Sequence, residues 1–151
     1  MTITMFTDPA CTYCGKAYGS IDQLMDEFPT QVRLVVKQFP IKPGSRLAAE
    51  AAYAAEAQGK FWEIHDLMYA YEDDLSETSL TALAQQAGLD VPAFTSALHA
   101  HSFAAPVDAD HEAAVAVDVT GIPAFVINGQ RITGALPVEE LRAAITTALA
   151  N

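Results

Sequence analysis

Cys11-Thr12-Tyr13-Cys14 is the stretch that decides how this sequence is interpreted, because it holds both cysteines of the 151-residue chain. Residues 2–6 precede it with the alternation and β-forming composition of a strand. Apolar residues at helical spacing follow it from Cys14 onward. A Cys-x-x-Cys pair between a strand and a helix is typical of thiol–disulfide chemistry. The sequence therefore predicts a redox-active pair at the start of a helix.

The segments around this motif predict a β-α-β unit. The helical pattern after Cys14 is stopped by Pro29, and residues 32–39 then form a nearly continuous apolar run. Such a run is typical of a parallel strand whose sheet is covered on both faces. Two parallel strands joined by a helix imply a right-handed crossover.

Residues 45–119 predict helices and carry little strand signal. Ser45 is a candidate N-cap for an alanine-rich helix that ends near Gly59. Ser76, with Leu75 before it, and Asp90, with Pro92 after it, mark two further helix starts. We expect the other helices of this block over residues 61–70 and 105–119.

The last part of the chain predicts a hairpin followed by a helix. Residues 123–127 and 131–133 are strand-like, and Asn128-Gly129 between them is a strong hairpin turn signal. Pro137 begins the final helix. The predicted order is therefore β-α-β, a helical block, and β-β-α.

This order resembles that of the thioredoxin superfamily, with Cys11-Thr12-Tyr13-Cys14 after the first strand and Gly121-Ile122-Pro123 before the third. The helical block resembles the insertion of the DsbA-like branch, and residues 59–68 are similar to a stretch common there. The resemblance implies an α/β, thioredoxin-like fold. Residues 1–151 would form one DsbA-like domain, with its core in residues 1–44 and 120–151 and an all-helical insertion in residues 45–119.

The resemblance also implies roles for residues outside the motif. In the family the proline before the third strand is cis and faces the cysteines, which here falls on Pro123, and an extended substrate would pair with the backbone of Ile122. Lys37 matches a lysine near the motif in relatives, although a strand-end lysine reaching water is the alternative. The family often carries a buried acid on the first strand, and Met5 occupies that position here. We expect the nearest acid, Asp8, to be solvated.

The chemistry assigns different roles to the two cysteines. A thiol attacks a disulfide only as the thiolate, and a helix N-terminus favours that anion. We expect Cys11 to be the partly exposed nucleophile and Cys14, one turn deeper, to be the resolving thiol. We expect Thr12 and Tyr13, which lie between the two cysteines in the sequence, to tune the redox poise of the pair.

Composition limits the other functions. The formal net charge of −11 and the absence of a basic stripe exclude nucleic acid as an expected partner. No apolar run of about 18 residues predicts membrane insertion. The sequence lacks a signal-peptide pattern, so we expect a cytoplasmic location, with a periplasmic or extracytoplasmic one if the natural chain begins earlier. We expect a monomer.

A metal site is not expected. A Cys pair supplies half of a zinc site, which needs four ligands. The four histidines all lie in the helical block: His65, His99, His101 and His111. We interpret His65, beside Trp62, first as helix packing; a role toward the substrate is the alternative. Phe61, Trp62, Met68 and Tyr69 are interpreted first as core of the insertion; alternatively, some of them line a groove over Cys11.

Three functions stay open. The first is an enzyme that exchanges its dithiol or disulfide with protein or peptide partners and a redox partner protein. It would use no cofactor besides its own redox-active disulfide, and its direction as oxidase or reductase is undecided. The second is a cytoplasmic redox-sensing adaptor on the same scaffold. The third is a glutathione-dependent isomerase or transferase relative, against which the second cysteine, Cys14, counts.

Overall fold

A mixed four-stranded sheet lies at the centre of the computed structural model, which describes residues 1–150. The strands are β1 (Thr2–Thr7), β2 (Arg33–Gln38), β3 (Ala124–Ile127) and β4 (Gln130–Thr133), in the order β2-β1-β3-β4. Strand β1 pairs parallel with β2 and antiparallel with β3, and β3 pairs antiparallel with β4. The thioredoxin-like α/β order expected from the sequence is confirmed.

Two helices cover one face of this sheet. Helix α1 (Thr12–Glu27) connects β1 to β2, and α7 (Val138–Leu149) follows the hairpin. Odd-numbered residues of β1, such as Ile3 and Met5, point to this face because side chains alternate along a strand. The fully buried residues here are Ile3, Met5, Ala17, Ile21, Leu24, Phe125, Leu141 and Ile145.

The helical block has a core of its own. Its elements are α2 (Ser45–Glu56), α3 (Phe61–Ala70), α4 (Glu77–Gln86), α5 (Val91–His99) and α6 (Ala104–Ala116). Small side chains along α2 let α3, α4 and α5 approach it closely. The fully buried members of this core are Ala48, Ala51, Ala52, Ala55, Ile64, Met68, Leu80, Ala84 and Phe94. Among residues 1–150, no helix combines the length and the apolar character that crossing a membrane requires.

Helix starts in the block were predicted with one error. Ser76 accepts a hydrogen bond from the Ser79 amide at 3.3 Å and Asp90 accepts one from the Ala93 amide at 3.0 Å, so both predicted N-caps are confirmed. Ser45 is not an N-cap. Gly44 holds that position with a φ of 85°, because glycine adopts left-handed backbone without a steric penalty.

The second face of the sheet is covered by α6. Phe6 packs with Ala114, Val119 and Ala124 on this side. Helix α6 ends at Ala116, so Val119, predicted to be helical, lies beyond it and is buried against the sheet. The expectation that the sheet is covered on both faces is confirmed. Strand β2 lies at the edge of the sheet, and only its last residue is buried.

Asp110 links α6 to both β2 and α2. Its side chain is 2% exposed and accepts hydrogen bonds from the Lys37 ammonium at 2.7 Å, from the Gln38 amide at 2.8 Å and from the Tyr53 hydroxyl. A buried carboxylate is tolerated when its oxygens are satisfied in this way. The insertion is therefore fixed to the sheet by a polar contact as well as by apolar packing.

Replacing Asp110 tests this connection. We expect Asp110→Ala to lower the free energy of unfolding by about 2–4 kcal/mol, because three donors, all of them at least partly buried, lose their acceptor. The control is Asp108→Ala in the same helix, whose exposed carboxylate pairs with a half-exposed Arg46 and contributes less than about 1 kcal/mol. Urea unfolding measures both. Equal losses in the two variants would contradict this role.

Candidate active site

Cys11 is the N-cap residue of α1. Its backbone is extended, with φ −102° and ψ 113°, and its carbonyl accepts the first helical hydrogen bond from the Gly15 amide at 3.1 Å. The Cys11 amide is used locally, because it donates to the Asp8 carbonyl at 3.0 Å. No acidic residue occupies the first turn of α1. The positive end of the helix dipole therefore acts on Cys11 without a nearby side chain of the first turn to cancel it.

Cys14 lies beneath Cys11 on the same helix face, as residues three apart do. Both are free thiols in this structure. Cys11 is 7% exposed and Cys14 is fully buried. Cys11 is thus more covered than the partly exposed nucleophile expected from the sequence, since the start of α1 is packed among the surrounding loops. It is still the outer cysteine of the pair.

The Cys14 thiol is difficult to ionise. Burial raises the pKa of the Cys14 thiol to about 12, and its interaction with Cys11 acts in the same direction. The backbone of Asp8 and the hydroxyl of Thr7 partly oppose this rise. Cys14 therefore keeps its proton at neutral pH, as a resolving thiol must until the mixed disulfide forms.

Thr7, which the sequence interpretation missed, is the last residue of β1 and is fully buried. It is odd-numbered, so it points to the face of the sheet that carries α1 and Cys14. The Thr7 hydroxyl forms a hydrogen bond with the Tyr69 hydroxyl of α3. The helical block therefore contacts the end of β1 that precedes the cysteines through Tyr69. A groove over Cys11 lined by these aromatic residues stays a prediction.

Asp8 corrects a sequence-based expectation, because it is buried and not solvated. Its Oδ1 accepts from the Ala10 amide at 2.8 Å, and its Oδ2 accepts from the amides of Ile41 at 2.9 Å and Lys42 at 3.3 Å. Backbone N–H groups thus replace the water that an isolated carboxylate would need. Asp8 holds the loop before Cys11 against the loop after β2.

Lys37 does not join the cysteines. On the β1–β2 ladder it pairs with Phe6, which faces α6, whereas α1 lies on the opposite face. Its ammonium is bound by Asp110 at 2.7 Å. The resemblance placed this lysine near the motif, but strand alternation directs its side chain to the other face of the sheet.

Thr12 and Tyr13 stand on the outer surface beside Cys11. Both are exposed, Tyr13 by 64%, and the Lys16 ammonium lies 5.4 Å from the centre of the Tyr13 ring. Their position gives an incoming partner access to both side chains. Their expected part in setting the redox poise stays a prediction.

Pro123 lies at the same end of the sheet as the cysteines. The Ile122–Pro123 peptide bond is cis, as the resemblance implied. Phe6 pairs with Ala124, so the next step of this antiparallel register brings Pro123 opposite Thr7. Pro123 is buried and its carbonyl accepts from the Gly134 amide at 2.8 Å, while Ile122 keeps part of its surface exposed.

The fold and the cysteine pair define a protein of the thioredoxin superfamily that carries an all-helical insertion between β2 and β3. A family model described as Thioredoxin matches residues 1–147, and the chain belongs to this family. Among solved structures, it is 30% identical to a thioredoxin-like oxidoreductase from Silicibacter pomeroyi DSS-3, with a TM-score of 0.91 over 99% of this chain and 87% of that one. BdbD from Bacillus subtilis shares the fold at 20% identity, with a TM-score of 0.90 over 99% and 88% of the two chains.

The curated relatives are much longer proteins. The chain is 36% identical to the Na(+)/H(+) antiporter NhaA 3 of Salinispora tropica, across 100% of this chain and 24% of that protein. It is 32% identical to the Na(+)/H(+) antiporter NhaA of Herminiimonas arsenicoxydans, across 96% and 23%. The chain therefore spans about a quarter of the length of these relatives.

Alkylation of the folded dithiol tests the difference between the two sulfurs. We expect iodoacetamide at mildly alkaline pH to modify Cys14→Ser, which keeps Cys11, at least about tenfold faster than Cys11→Ser, because Cys14 is fully buried and each unit of rise in its pKa lowers its thiolate fraction tenfold. The control is the same pair of variants in denaturant, where the two rates should converge. Equal rates in the folded variants would show that Cys14 is neither buried nor harder to ionise.

Proposed function

We propose that this protein is a thiol–disulfide oxidoreductase that exchanges electrons between its Cys11–Cys14 pair and protein or peptide partners. One observation carries the proposal: the outer thiol of Cys11 lies at the N-terminus of α1 with the buried thiol of Cys14 directly behind it. The oxidoreductase from Silicibacter pomeroyi, with the same fold at 30% identity, supports it.

The reaction proceeds in two exchange steps. The Cys11 thiolate attacks one sulfur of a partner disulfide, so a mixed disulfide forms and the second partner sulfur leaves as a thiolate and takes up a proton. Cys14 then loses its proton and attacks the Cys11 sulfur. The Cys11–Cys14 disulfide forms, and the remaining partner sulfur leaves. The protein has lost two electrons and two protons; the reverse sequence oxidises a partner.

Ile122 and Pro123 provide the place where a partner chain would lie. Proline has no N–H, so the backbone of Ile122 is the first peptide group before β3 that an extended partner segment can pair with. The register places this group at the sheet end that also carries Cys11. The substrate class is therefore an extended segment around a cysteine, and a second protein restores the redox state of the pair.

The protein would act as a monomer in the cytoplasm. The extracytoplasmic alternative draws support from a periplasmic thioredoxin-like protein of Salmonella enterica serovar Typhimurium, which is 25% identical with a TM-score of 0.80 over 99% of this chain and 84% of that one. The reduction potential of the Cys11–Cys14 pair distinguishes the cytoplasmic from the extracytoplasmic alternative, because extracytoplasmic compartments keep their thiol pools more oxidised.

Reduction of insulin by dithiothreitol tests the activity. We expect the wild type to accelerate the reaction and Cys11→Ser to abolish the acceleration, because no nucleophile remains. Cys14→Ser should instead accumulate a partner bound covalently to Cys11, visible on a non-reducing gel and released by reductant. An undiminished rate in Cys11→Ser would contradict the proposed function.

Replacing Pro123 tests the partner-binding edge. We expect Pro123→Ala to slow insulin reduction roughly ten- to a hundredfold, because the new N–H and the altered backbone displace the pairing edge from Cys11. The matched control is Pro92→Ala, an exposed proline at the start of α5, which should leave the rate of the folded protein unchanged. Equal rates in the two variants would remove Pro123 from the site.

The adaptor interpretation is favoured by a different observation. The same domain forms about a quarter of the antiporter relatives, which suits a module that senses redox state beside another activity. Capture by Cys14→Ser separates the two functions: partners released by reductant are substrates, whereas partners that stay bound in reductant are those of an adaptor. A glutathione-dependent isomerase or transferase would keep its activity in Cys14→Ser.

A further inference from the structure

We propose that a cleft between α1, α3 and β2 binds an arginine side chain of a partner protein. The cleft has a volume of about 650 Å³, which lies within the range of ligand-binding sites. Its lining includes two aromatic rings and two carboxylates: Tyr18 and Asp22 from α1, and Trp62 and Asp66 from α3. The first of these residues on α1 lies about 10 Å along the helix from Cys11. The proposal adds a binding site to the protein and does not depend on thiol–disulfide exchange.

The two helices contribute the same pair of residue types at the same spacing. Asp22 follows Tyr18 by four residues, and Asp66 follows Trp62 by four residues. Residues four apart share one face of a helix, so each helix presents an aromatic ring beside a carboxylate. The Tyr18 hydroxyl donates to Asp66 Oδ1 at 2.7 Å, which joins the two pairs across the gap between the helices. Aromatic rings and carboxylates that line one cleft are the groups that attract an organic cation.

The two carboxylates of the cleft have no cation to balance them. In the part of the chain that the structure describes, neither forms an ion pair with a lysine or an arginine. Lys60, which precedes α3, pairs with Glu63 at 3.0 Å. Arg33, which lines the β2 side of the cleft, donates to the Thr2 hydroxyl at 3.2 Å. Burial and the neighbouring carboxylates raise the pKa of Asp22, as expected for acids that lack a counter-charge.

His65 lies beneath the cleft and is an unpartnered polar side chain. It is fully buried, and neither of its ring nitrogens has a hydrogen-bond partner among the described residues. The rings of Tyr18 and Trp62 contact it edge-on, at 4.5 and 5.5 Å between centres. Its Nδ1 faces Asp66 Oδ1 across 3.8 Å, which is too long for a hydrogen bond. Burial lowers the pKa of His65, so its ring is neutral at neutral pH and does not supply the missing positive charge.

A guanidinium group suits this lining better than an ammonium group does. It is planar, stacks on aromatic rings and donates several N–H groups to carboxylates in a fixed geometry. Trp62 is 44% exposed, so its ring is available for such a contact. Met25 and Leu34 give the cleft apolar walls, which suit the methylene groups of a long basic side chain. The lining therefore matches both the charged end and the apolar stem of arginine.

The arginine belongs to a polypeptide and not to the free amino acid. Free arginine carries an α-carboxylate that Asp22 and Asp66 repel, whereas in a polypeptide this group is a neutral peptide unit. Strand β2, which borders the cleft, is an edge strand, so a partner segment has access to the cleft from the side of the sheet. The formal net charge of −11 also favours the approach of a basic partner. The occupant is therefore an arginine on the surface of another protein.

Tryptophan fluorescence tests the proposal, because Trp62 is the one tryptophan of the chain and lines the cleft. The probe is the pentapeptide Gly-Leu-Arg-Leu-Gly, acetylated and amidated so that the arginine carries its only charge. We expect it to change the fluorescence saturably. The same peptide with citrulline, which keeps the shape of arginine and lacks its charge, should bind at least about tenfold more weakly. Added sodium chloride should weaken the binding of the arginine peptide, because exposed charges are screened.

Variants of exposed residues assign the binding to the cleft without disturbing the core. Asp22→Asn and Asp66→Asn should each weaken binding of the arginine peptide about two- to fivefold, since each removes one exposed carboxylate from the site. Arg33→Gln should strengthen it, because it removes a positive charge from the cleft lining. The matched control is Glu112→Gln on α6, which covers the other face of the sheet and makes the same change of net charge as the two aspartate variants. It should bind as wild type does.

Several results would overturn the proposal. Equal binding of the arginine and citrulline peptides would show an apolar surface and no cation site, and absence of saturation up to about 10 mM would show no site. Asp22→Asn and Asp66→Asn that match Glu112→Gln would place the binding elsewhere. A lysine peptide that binds as tightly would contradict the preference for guanidinium, and free arginine that binds as tightly would contradict a protein partner. The peptides contain no cysteine, so these results leave the test of insulin reduction unaffected.

Discussion

The burial of Cys14 against the end of β1 is the constraint on which the rest of the structure depends. A thiol that is buried away from solvent ionises poorly, so its reactivity depends on the few polar groups around it. Cys11 differs because it begins the helix and is the outer member of the pair. The different roles of the attacking cysteine and the resolving cysteine thus follow from their positions on one turn of α1.

The helical insertion contributes to the site as well as to the stability of the fold. Asp110 of α6 holds β2 and α2 together, and Tyr69 of α3 forms a hydrogen bond with Thr7 at the end of β1 that precedes the cysteines. Within residues 1–44, the carboxylate of Asp8 fixes the loop that leads into α1 against the loop after β2. The insertion and the sheet therefore share polar contacts at the places where the cysteines need a rigid surrounding.

Much of the fold was predictable because it depends on periodicity and turn chemistry. The Asn128-Gly129 hairpin, with both residues at positive φ, and the N-caps Ser76 and Asp90 are local features that a few residues determine. The N-cap at Gly44 and the edge position of β2 were not predicted. The first depends on how the chain turns into α2, and the second on strand order, which no local pattern encodes.

The cysteine pair was predictable from its motif, whereas its surroundings were not. Thr7 is an ordinary strand residue in sequence and becomes important only because β1 ends where α3 packs on α1. Asp8 was expected in water because a lone acid after a strand usually lies there; three backbone amides from two loops made burial possible. Lys37 has the same position along the chain as a lysine of related proteins. Strand alternation nevertheless directs its side chain to the face of the sheet opposite the cysteines.

The central claim is that Cys11 and Cys14 form a reversible disulfide with each other. Equilibration of the protein with defined ratios of reduced and oxidised glutathione, followed by trapping of free thiols and mass measurement, tests it directly. The account predicts that both thiols disappear together in a single two-electron transition and that an internal disulfide replaces them. Persistence of both thiols at every ratio, or glutathione bound to Cys11 while Cys14 stays free, would contradict it.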